Sequence, residues 1–104
     1  MIQVSFLYPN TEGSRFDFEY YINKHCPLSE DRFGPALKQM TVVRGLGGIA
    51  PGSKPPFHAV GQLVFGSIDE FYGALMPHVE EFKADVSNYT DVEAVIQISE
   101  IVDR

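Results

Sequence analysis

The chain has a single cysteine, Cys26, and only eight lysines and arginines among its 104 residues. One thiol cannot form an intramolecular disulfide, which fits a reducing compartment, so we expect a cytoplasmic protein. Fourteen acidic side chains give a formal net charge of −6. Because phosphate binding needs a basic face and the basic residues are scattered, the composition argues against nucleic acid and against an anionic membrane surface as partners.

Long apolar runs are also missing, and no stretch approaches the roughly 20 apolar residues that a transmembrane helix needs. The first residues, 1–8, show no charged segment followed by an apolar one, so we expect no signal peptide. A chain of this length accommodates one core. We therefore expect one domain over residues 1–104.

The patterns that are present follow the order βαββαβ. Alternating or apolar segments predict strands at residues 2–8, 40–45, 57–65 and 94–102. Capping-box candidates predict one helix starting near Arg15, from Ser14 and Asp17, and another after Ser67, from that serine and Glu70. This order predicts an α+β, ferredoxin-like protomer, whose antiparallel sheet carries both helices on one face.

The second predicted helix has the clearest periodicity in the chain. Pro77 interrupts it and predicts a kink or a break. The apolar positions at three- and four-residue steps predict a core-facing stripe, made of Ile68, Phe71, Tyr72, Leu75, Met76, Val79 and Phe82.

The sheet face away from the helices is too apolar for a wetted surface, yet more polar than a dry core. It comprises Gln3, Ser5, Leu7, Val43, Val60, Gln62, Val64, Val95, Gln97, Ser99 and Ile101. Because single domains rarely expose a large apolar patch, we expect this face to pack against a second copy of the chain in a homodimer. His58 is predicted to lie on the same face, as an interface histidine.

The segment 16–28 holds the first candidate for chemistry. Tyr21 and His25 are four residues apart and share one face of a helix. Pro27 biases Cys26 away from helical geometry, which predicts that the helix ends or bends just after His25. An imidazole beside a phenol is suited to acid–base work, although the same pattern also occurs at ordinary helix ends.

The Gly- and Pro-rich segment 45–56 is too long for a tight hairpin. It predicts either a flap over a pocket or a solvated connection, and the sequence does not choose between them.

Taken in order, several short motifs resemble the EthD family of the dimeric α/β-barrel superfamily. They are Tyr8-Pro9, residues 16–21, His25-Cys26-Pro27-Leu28, Val43-Arg44-Gly45, Pro55-Pro56-Phe57, Phe65 with Ser67, residues 84–91 and residues 97–102. The resemblance covers nearly the whole chain. It implies a βαββαβ protomer, a homodimer closed through the sheets, and a pocket between sheet and helices. Gly34-Pro35 departs from the regular helix that the family pattern implies after the histidine.

The superfamily includes isomerases, cyclases, decarboxylases, dehydratases and monooxygenases. We therefore expect cofactor-independent acid–base catalysis, of lyase or isomerase type, on a small apolar carbonyl or phenolic compound. The alternatives are non-catalytic binding or delivery of such a ligand, and a monooxygenase-like reaction on a quinol or haem.

The candidate catalytic residues are His25, with Tyr21 or Tyr89 orienting it, and His78 as a rival, because residues 77–82 resemble a turn of polyketide-cyclase-like proteins. The candidate substrate-binding residues are Phe18, Phe33, Phe71, Tyr72, Phe82 and Asn88. Asn88 and Thr90 equally suit a structural role in ending a helix. No histidine or cysteine pair has metal-ligand spacing, and no phosphate-binding loop precedes a helix, so we expect neither a metal nor a cofactor.

Overall fold

The structure is a computed structural model that describes residues 1–104. Its centre is a four-stranded antiparallel sheet. The strands are β1 (Ile2–Pro9), β2 (Gln39–Arg44), β3 (Phe57–Phe65) and β4 (Val95–Glu100), arranged in the order β2-β3-β1-β4. In the two central strands Val4 of β1 lies opposite Leu63 of β3, and it also lies opposite Ile98 of β4. This is the ferredoxin-like order that the sequence predicts.

The first helical layer is continuous from residue 18 to residue 33. It consists of α1 (Phe18–Tyr20), a π-helical turn (Tyr21–His25) and α2 (Cys26–Phe33), and a 3₁₀ turn (Gly34–Ala36) follows. Gly34 ends the helix with a φ of 58°, a conformation that glycine adopts without steric cost. The predicted interruption at Gly34-Pro35 is therefore confirmed.

The predicted start of this helix was wrong. Asp17 is the N-cap, and its carboxylate accepts a hydrogen bond from the backbone N–H of Tyr20 at 3.1 Å. The Ser14 hydroxyl instead donates to the carbonyl of Thr11 and lies 2.8 Å from Nε2 of His58. Because Ser14 has these partners in the preceding turn, it is not available as a cap.

The second helical layer consists of α3 (Ile68–Leu75), a 3₁₀ turn (Met76–His78) and α4 (Val79–Val86). Ser67 caps α3 by accepting from the N–H of Glu70 at 3.1 Å, as predicted. The break predicted at Pro77 is also confirmed, because that residue lies in the turn between α3 and α4.

The predicted core-facing stripe is only partly right. Phe71 is buried, whereas Ile68, Tyr72 and Met76 are exposed. No residue of α4 is fully buried, because this helix stands off from the sheet instead of packing tightly on it. The gap between α4 and the sheet becomes the cavity described below.

Two buried clusters lie between the sheet and the helices. The apolar cluster is Val4, Phe33, Leu63, Phe65 and Phe71. The tyrosine cluster is Tyr8, Tyr21, Cys26, Ala59 and Tyr89.

The segment 45–56 connects β2 to β3, and its last residues lie beside Asn10, which follows β1. The Asn10 backbone N–H donates to the carbonyl of Pro56 at 3.0 Å, and the Asn10 side-chain amide donates to the carbonyl of Pro55 at 3.0 Å. None of the segment's residues lines the cavity, so it is not a flap over it. The helices are all too short or too polar to cross a lipid bilayer.

Candidate active site

A π-helical turn places His25. The sequence predicts that the helix ends or bends just after this histidine. It does not end there, because Cys26 keeps helical angles of −63° and −46°. Its N–H donates to the carbonyl of Tyr21, five residues back, and Pro27 follows in the first turn of α2. The wider turn relieves the clash that the proline ring would make in a regular helix. It also presents the His25 ring to the space between the helical layers.

Asp85 of α4 is the charged partner of His25, with Oδ2 2.8 Å from Nδ1. Burial lowers the pKa of His25 below its usual value, and the hydrogen bond and charge of Asp85 oppose that shift. We therefore take the ring as neutral at pH 7, with its proton on Nδ1 donated to the carboxylate. This leaves Nε2 as the basic nitrogen.

The Asp85 carboxylate is itself held in place. The hydroxyl of Tyr20 donates to Oδ1 at 2.6 Å, and the side-chain amide of Asn88 donates to the same oxygen at 3.1 Å. Burial raises the pKa of Asp85, but the hydrogen bonds from Tyr20, His25 and Asn88 outweigh it, so the pKa lies below its usual value. Asp85 is thus a fixed anion that orients the imidazole.

Nε2 of His25 faces the tyrosine cluster. The hydroxyl of Tyr89 is 3.4 Å from this nitrogen and 2.9 Å from the hydroxyl of Tyr8. Tyr21 stacks on the His25 ring with centroids 5.7 Å apart. A Cβ on Gly61 would lie 2.7 Å from the Tyr21 hydroxyl oxygen, so this glycine in β3 leaves room for the phenol.

A cavity of about 790 Å³ opens between α4 and the sheet and reaches this array. Seventeen of its 24 lining residues are hydrophobic, so most of its wall offers no hydrogen bond. The His25 side chain, 10% exposed, lies on the wall together with Tyr8 and Tyr21. Charged side chains line only the solvent side of the cavity: Lys83, Asp91 and Glu93. The size and polarity suit a small, largely apolar molecule.

The predicted site residues fall into three groups. The structure brings His25, Tyr21 and Tyr89 together. The aromatic residues on the cavity wall are Phe33, Phe71, Tyr72 and Phe82.

Three predicted site residues lie outside the cavity. Phe18 packs against Phe16 with the Arg44 guanidinium over its ring. Asn88 acts on Asp85 and does not reach the cavity. His78 lies on the turn before α4, where Nδ1 is 3.8 Å from Oε1 of Glu81.

Two site residues were missed by the sequence argument. Asp85 lies three residues after Phe82 and one before Val86, so a carboxylate on an otherwise apolar helix face was the available signal. The sequence pattern places Tyr8 only in the first strand, and its distance to Tyr89 reveals its place in the array.

Cys26 lies in the same cluster but is unsuited to nucleophilic chemistry. Burial, and to a lesser extent the nearby carboxylate of Glu30, raise the pKa of this thiol to about 11. At pH 7 it is therefore a thiol, not a thiolate. No three His, Cys, Asp or Glu side chains converge in a way that could hold a metal ion.

Known proteins related to this chain were found among solved structures. No family model and no curated protein matches the sequence. Among solved structures, an EthD-like protein from Ralstonia eutropha JMP134 is 43% identical, with a TM-score of 0.93 over 99% of this chain and 94% of that one. The chain belongs to the EthD family.

Two further structures share the fold of this EthD chain. An EthD family protein from Bacillus halodurans C-125 is 21% identical, with a TM-score of 0.76 over 98% of this chain and 99% of that one. HapK from Hahella chejuensis is 17% identical, with a TM-score of 0.60 over 100% of this chain and 95% of that one. At these identities the likeness is one of fold, so the chemistry of this EthD chain is argued from its own site.

Proposed function

We propose that this EthD protein binds a small, apolar carbonyl or phenolic compound and moves a proton on it without a cofactor, as a lyase or isomerase does. The observation that carries the proposal is the His25–Asp85 pair at the wall of a mostly apolar cavity. A neutral imidazole oriented by a fixed carboxylate is a general base near neutral pH.

The apolar wall supports the same proposal. A ligand that fills the cavity displaces water, and the charge that develops on its oxygen then interacts more strongly with nearby dipoles than it would in water. The aromatic side chains Phe33, Phe71 and Phe82 offer flat surfaces to a ring system.

The experiment uses 2-acetylnaphthalene as probe, because it is an apolar ketone with exchangeable protons next to the carbonyl. Incorporation of deuterium from heavy water is followed by NMR. We expect the wild-type protein to accelerate exchange, and His25→Gln to slow the catalysed exchange by about 10²-fold or more, as loss of a general base does.

His78→Gln is the rival variant, and His58→Gln is the matched control, since His58 contacts Ser14 and Phe16 and lies outside the cavity. Loss of exchange in His78→Gln with full exchange in His25→Gln would contradict the assignment to His25.

Ligand binding or delivery without turnover is the second candidate. It is favoured by one observation: both nitrogens of His25 already have hydrogen-bond partners. If the wild-type protein binds 2-acetylnaphthalene but does not accelerate exchange, this candidate replaces the first.

We further propose a homodimer through the sheet face away from the helices. Val60 lies opposite Leu7 on one side and Val43 on the other, which gives this face an apolar centre. Two such faces, packed together, would shield it from water.

Light scattering should give twice the protomer mass of 11.6 kDa, and Val60→Glu should give the protomer mass. Ile22→Glu, an exposed position on the helical side, is the control that should remain dimeric. A wild-type mass of one protomer would overturn the dimer. We also propose a reducing, cytoplasmic location, because a single cysteine cannot form an intramolecular disulfide.

A further inference from the structure

Both ring nitrogens of His25 are occupied. Nδ1 is 2.8 Å from Asp85, and Nε2 is 3.4 Å from the hydroxyl of Tyr89. A ligand in the cavity therefore meets no free nitrogen. If His25 is the base, its proton has to arrive through the group that already contacts Nε2.

That group is the Tyr89 hydroxyl. The Tyr89 side chain is 0% exposed to solvent and forms part of the cavity wall, but its hydroxyl already contacts His25, so it serves as an internal link. It continues to the hydroxyl of Tyr8, 2.9 Å away, and Tyr8 lines the cavity. The array thus runs from the cavity through two phenols to the imidazole and ends at the Asp85 carboxylate.

The protonation state of His25 sets the direction of these hydrogen bonds. When Nε2 is unprotonated, it accepts from the Tyr89 O–H, and the Tyr89 oxygen accepts from the Tyr8 O–H. The Tyr8 oxygen then offers only lone pairs to the cavity. When Nε2 is protonated, it donates to Tyr89, Tyr89 donates to Tyr8, and the Tyr8 O–H becomes free to donate into the cavity.

The pKa values of the three phenols are consistent with this role. Burial raises the pKa of Tyr8, and hydrogen bonds to Tyr89 and Tyr21 lower it. Burial also raises the pKa values of Tyr89 and Tyr21, but there the hydrogen bonding to Tyr8 raises them further. Burial therefore keeps all three phenols protonated near neutral pH, as the relay requires.

We propose that Tyr8 is the ligand-contacting residue of this site and that Tyr89 relays its proton to and from His25. The Tyr8 hydroxyl accepts a hydrogen bond from the ligand while His25 is neutral and donates one while His25 is protonated. This inference rests on the proposed function and deepens it, because it selects a ligand whose oxygen or acidic C–H reaches Tyr8.

The proton balance is closed. The ligand loses a proton to the Tyr8 oxygen, Tyr8 passes its original proton to the Tyr89 oxygen, and Tyr89 passes its own to Nε2 of His25. Both phenols end neutral, the ligand carries the electron pair of the broken bond as an enolate or phenolate, and the imidazolium is paired with Asp85. The Tyr8 O–H is then turned toward the ligand and can stabilise its anionic oxygen.

The first test needs no ligand. Protein labelled with ¹³C at the tyrosine Cζ is titrated from about pH 8 to pH 4 by NMR, and the His25 ring is followed in parallel by ¹⁵N. The titratable groups that face His25 are Tyr21 on its own helix, Asp85 of α4 and Tyr89 after α4. We expect the Tyr8 signal to shift with the His25 midpoint, and the exposed Tyr72 not to shift with it.

Tyr89→Phe is the deciding variant, because it removes one oxygen and keeps the aromatic ring that lines the cavity. We expect His25 to titrate still, and the coupled shift at Tyr8 to disappear. A Tyr8 signal that ignores the His25 midpoint in the wild type would overturn the relay, and so would a shift that survives in Tyr89→Phe. Tyr72→Phe is the matched control and should keep the coupling.

A binding arm uses 2-acetylnaphthalene, which only accepts hydrogen bonds, and 2-ethylnaphthalene, which has no polar group. Below the His25 midpoint the ketone should bind roughly twofold to tenfold tighter than above it, the worth of one added hydrogen bond. The hydrocarbon should show no such difference, and Tyr8→Phe should abolish it. If ketone binding by Tyr8→Phe still depends on pH, the relay is contradicted.

The relay and the proposed function fail in different ways. If neither naphthalene binds, the proposed function is contradicted, while the titration of Tyr8 still decides the relay. If the ketone binds and exchanges its protons while Tyr89→Phe exchanges them equally fast, the function stands and the relay is wrong.

Discussion

The apolar cluster and the tyrosine cluster occupy the same layer, between one sheet and one set of helices, yet they differ in chemistry. In the apolar cluster Phe65 contacts Phe33 and Phe71 with ring centroids 5.1 and 5.0 Å away, and no hydroxyl is present. In the tyrosine cluster the hydroxyls of Tyr8 and Tyr89 meet within 2.9 Å.

The two clusters stabilise this small protein under different conditions. Burying hydrocarbon stabilises the fold without any condition on orientation. Burying a phenol is unfavourable unless its hydroxyl finds a hydrogen-bond partner. This condition restricts how the side chains can pack, and it also aligns polar groups for chemistry. The hydroxyls of Tyr8 and Tyr89 meet that condition by bonding each other, and no fully buried side-chain nitrogen or oxygen is left without a partner.

Truncation in the apolar cluster should have the largest effect. Phe65 is 0% exposed, and Phe65→Ala should lower the free energy of unfolding by about 3–5 kcal/mol through lost burial and the cavity left behind. Urea unfolding measures it. A loss under ~1 kcal/mol would mean that the apolar cluster is not the main source of stability.

Gly61→Ala probes the tyrosine cluster sterically. The new methyl group would lie 2.7 Å from the Tyr21 hydroxyl oxygen, and overpacking of this kind should cost about 1–3 kcal/mol. In a Tyr21→Phe background the oxygen is gone, so the same substitution should cost clearly less. Equal costs in the two backgrounds, measured by urea unfolding, would show that the contact is not the cause.

The two helix caps offer a matched pair, one in each half. Ser67→Ala and Asp17→Ala should each lower the free energy of unfolding by about 1 kcal/mol, because each leaves a backbone N–H without its acceptor. Only Asp17→Ala should move the NMR signals of the His25 ring, since Asp17 begins the helix that carries it. Movement in both variants would argue that the two halves are coupled.

The smallest effect is the pH dependence of stability due to His25. Its pKa is lowered in the folded state, so the unfolded chain takes up a proton first as the pH falls. Stability should therefore be full above about pH 6.5, the unfolded value, and should decline until the folded pKa is passed.

Unfolding between pH 8 and pH 5 measures this decline. His25→Gln should flatten it. Asp85→Asn should steepen it, because Asp85 supports the protonated form in the folded protein and its removal lowers the pKa further. A decline unchanged in both variants would assign it to other groups.

Much of the fold was predictable from local patterns. Alternation located β3 at residues 57–65, and the chemistry of Ser67 and Pro77 located the start and the break of the second helical layer. These features depend on neighbouring residues, whose preferences act over one or two turns. The continuity of the first helix through Pro27 was not predictable, because a π-helical turn has no strong local signature.

The site was predictable in part. Spacing alone places Tyr21 beside His25, since residues four apart share a helix face. Spacing cannot place Asp85 or Tyr89 there, because they lie 60 and 64 residues further along the chain.

By itself, therefore, the sequence determined the order of strands and helices and one aromatic–histidine pair. The tertiary structure decided which nitrogen of His25 faces Asp85, which phenols complete the array, and that α4 stands away from the sheet to leave a cavity. The physical reason is range: backbone preferences and side-chain periodicity act between near neighbours, whereas a hydrogen-bonded site needs atoms from β1, α4 and the π-helical turn to converge within about 3 Å.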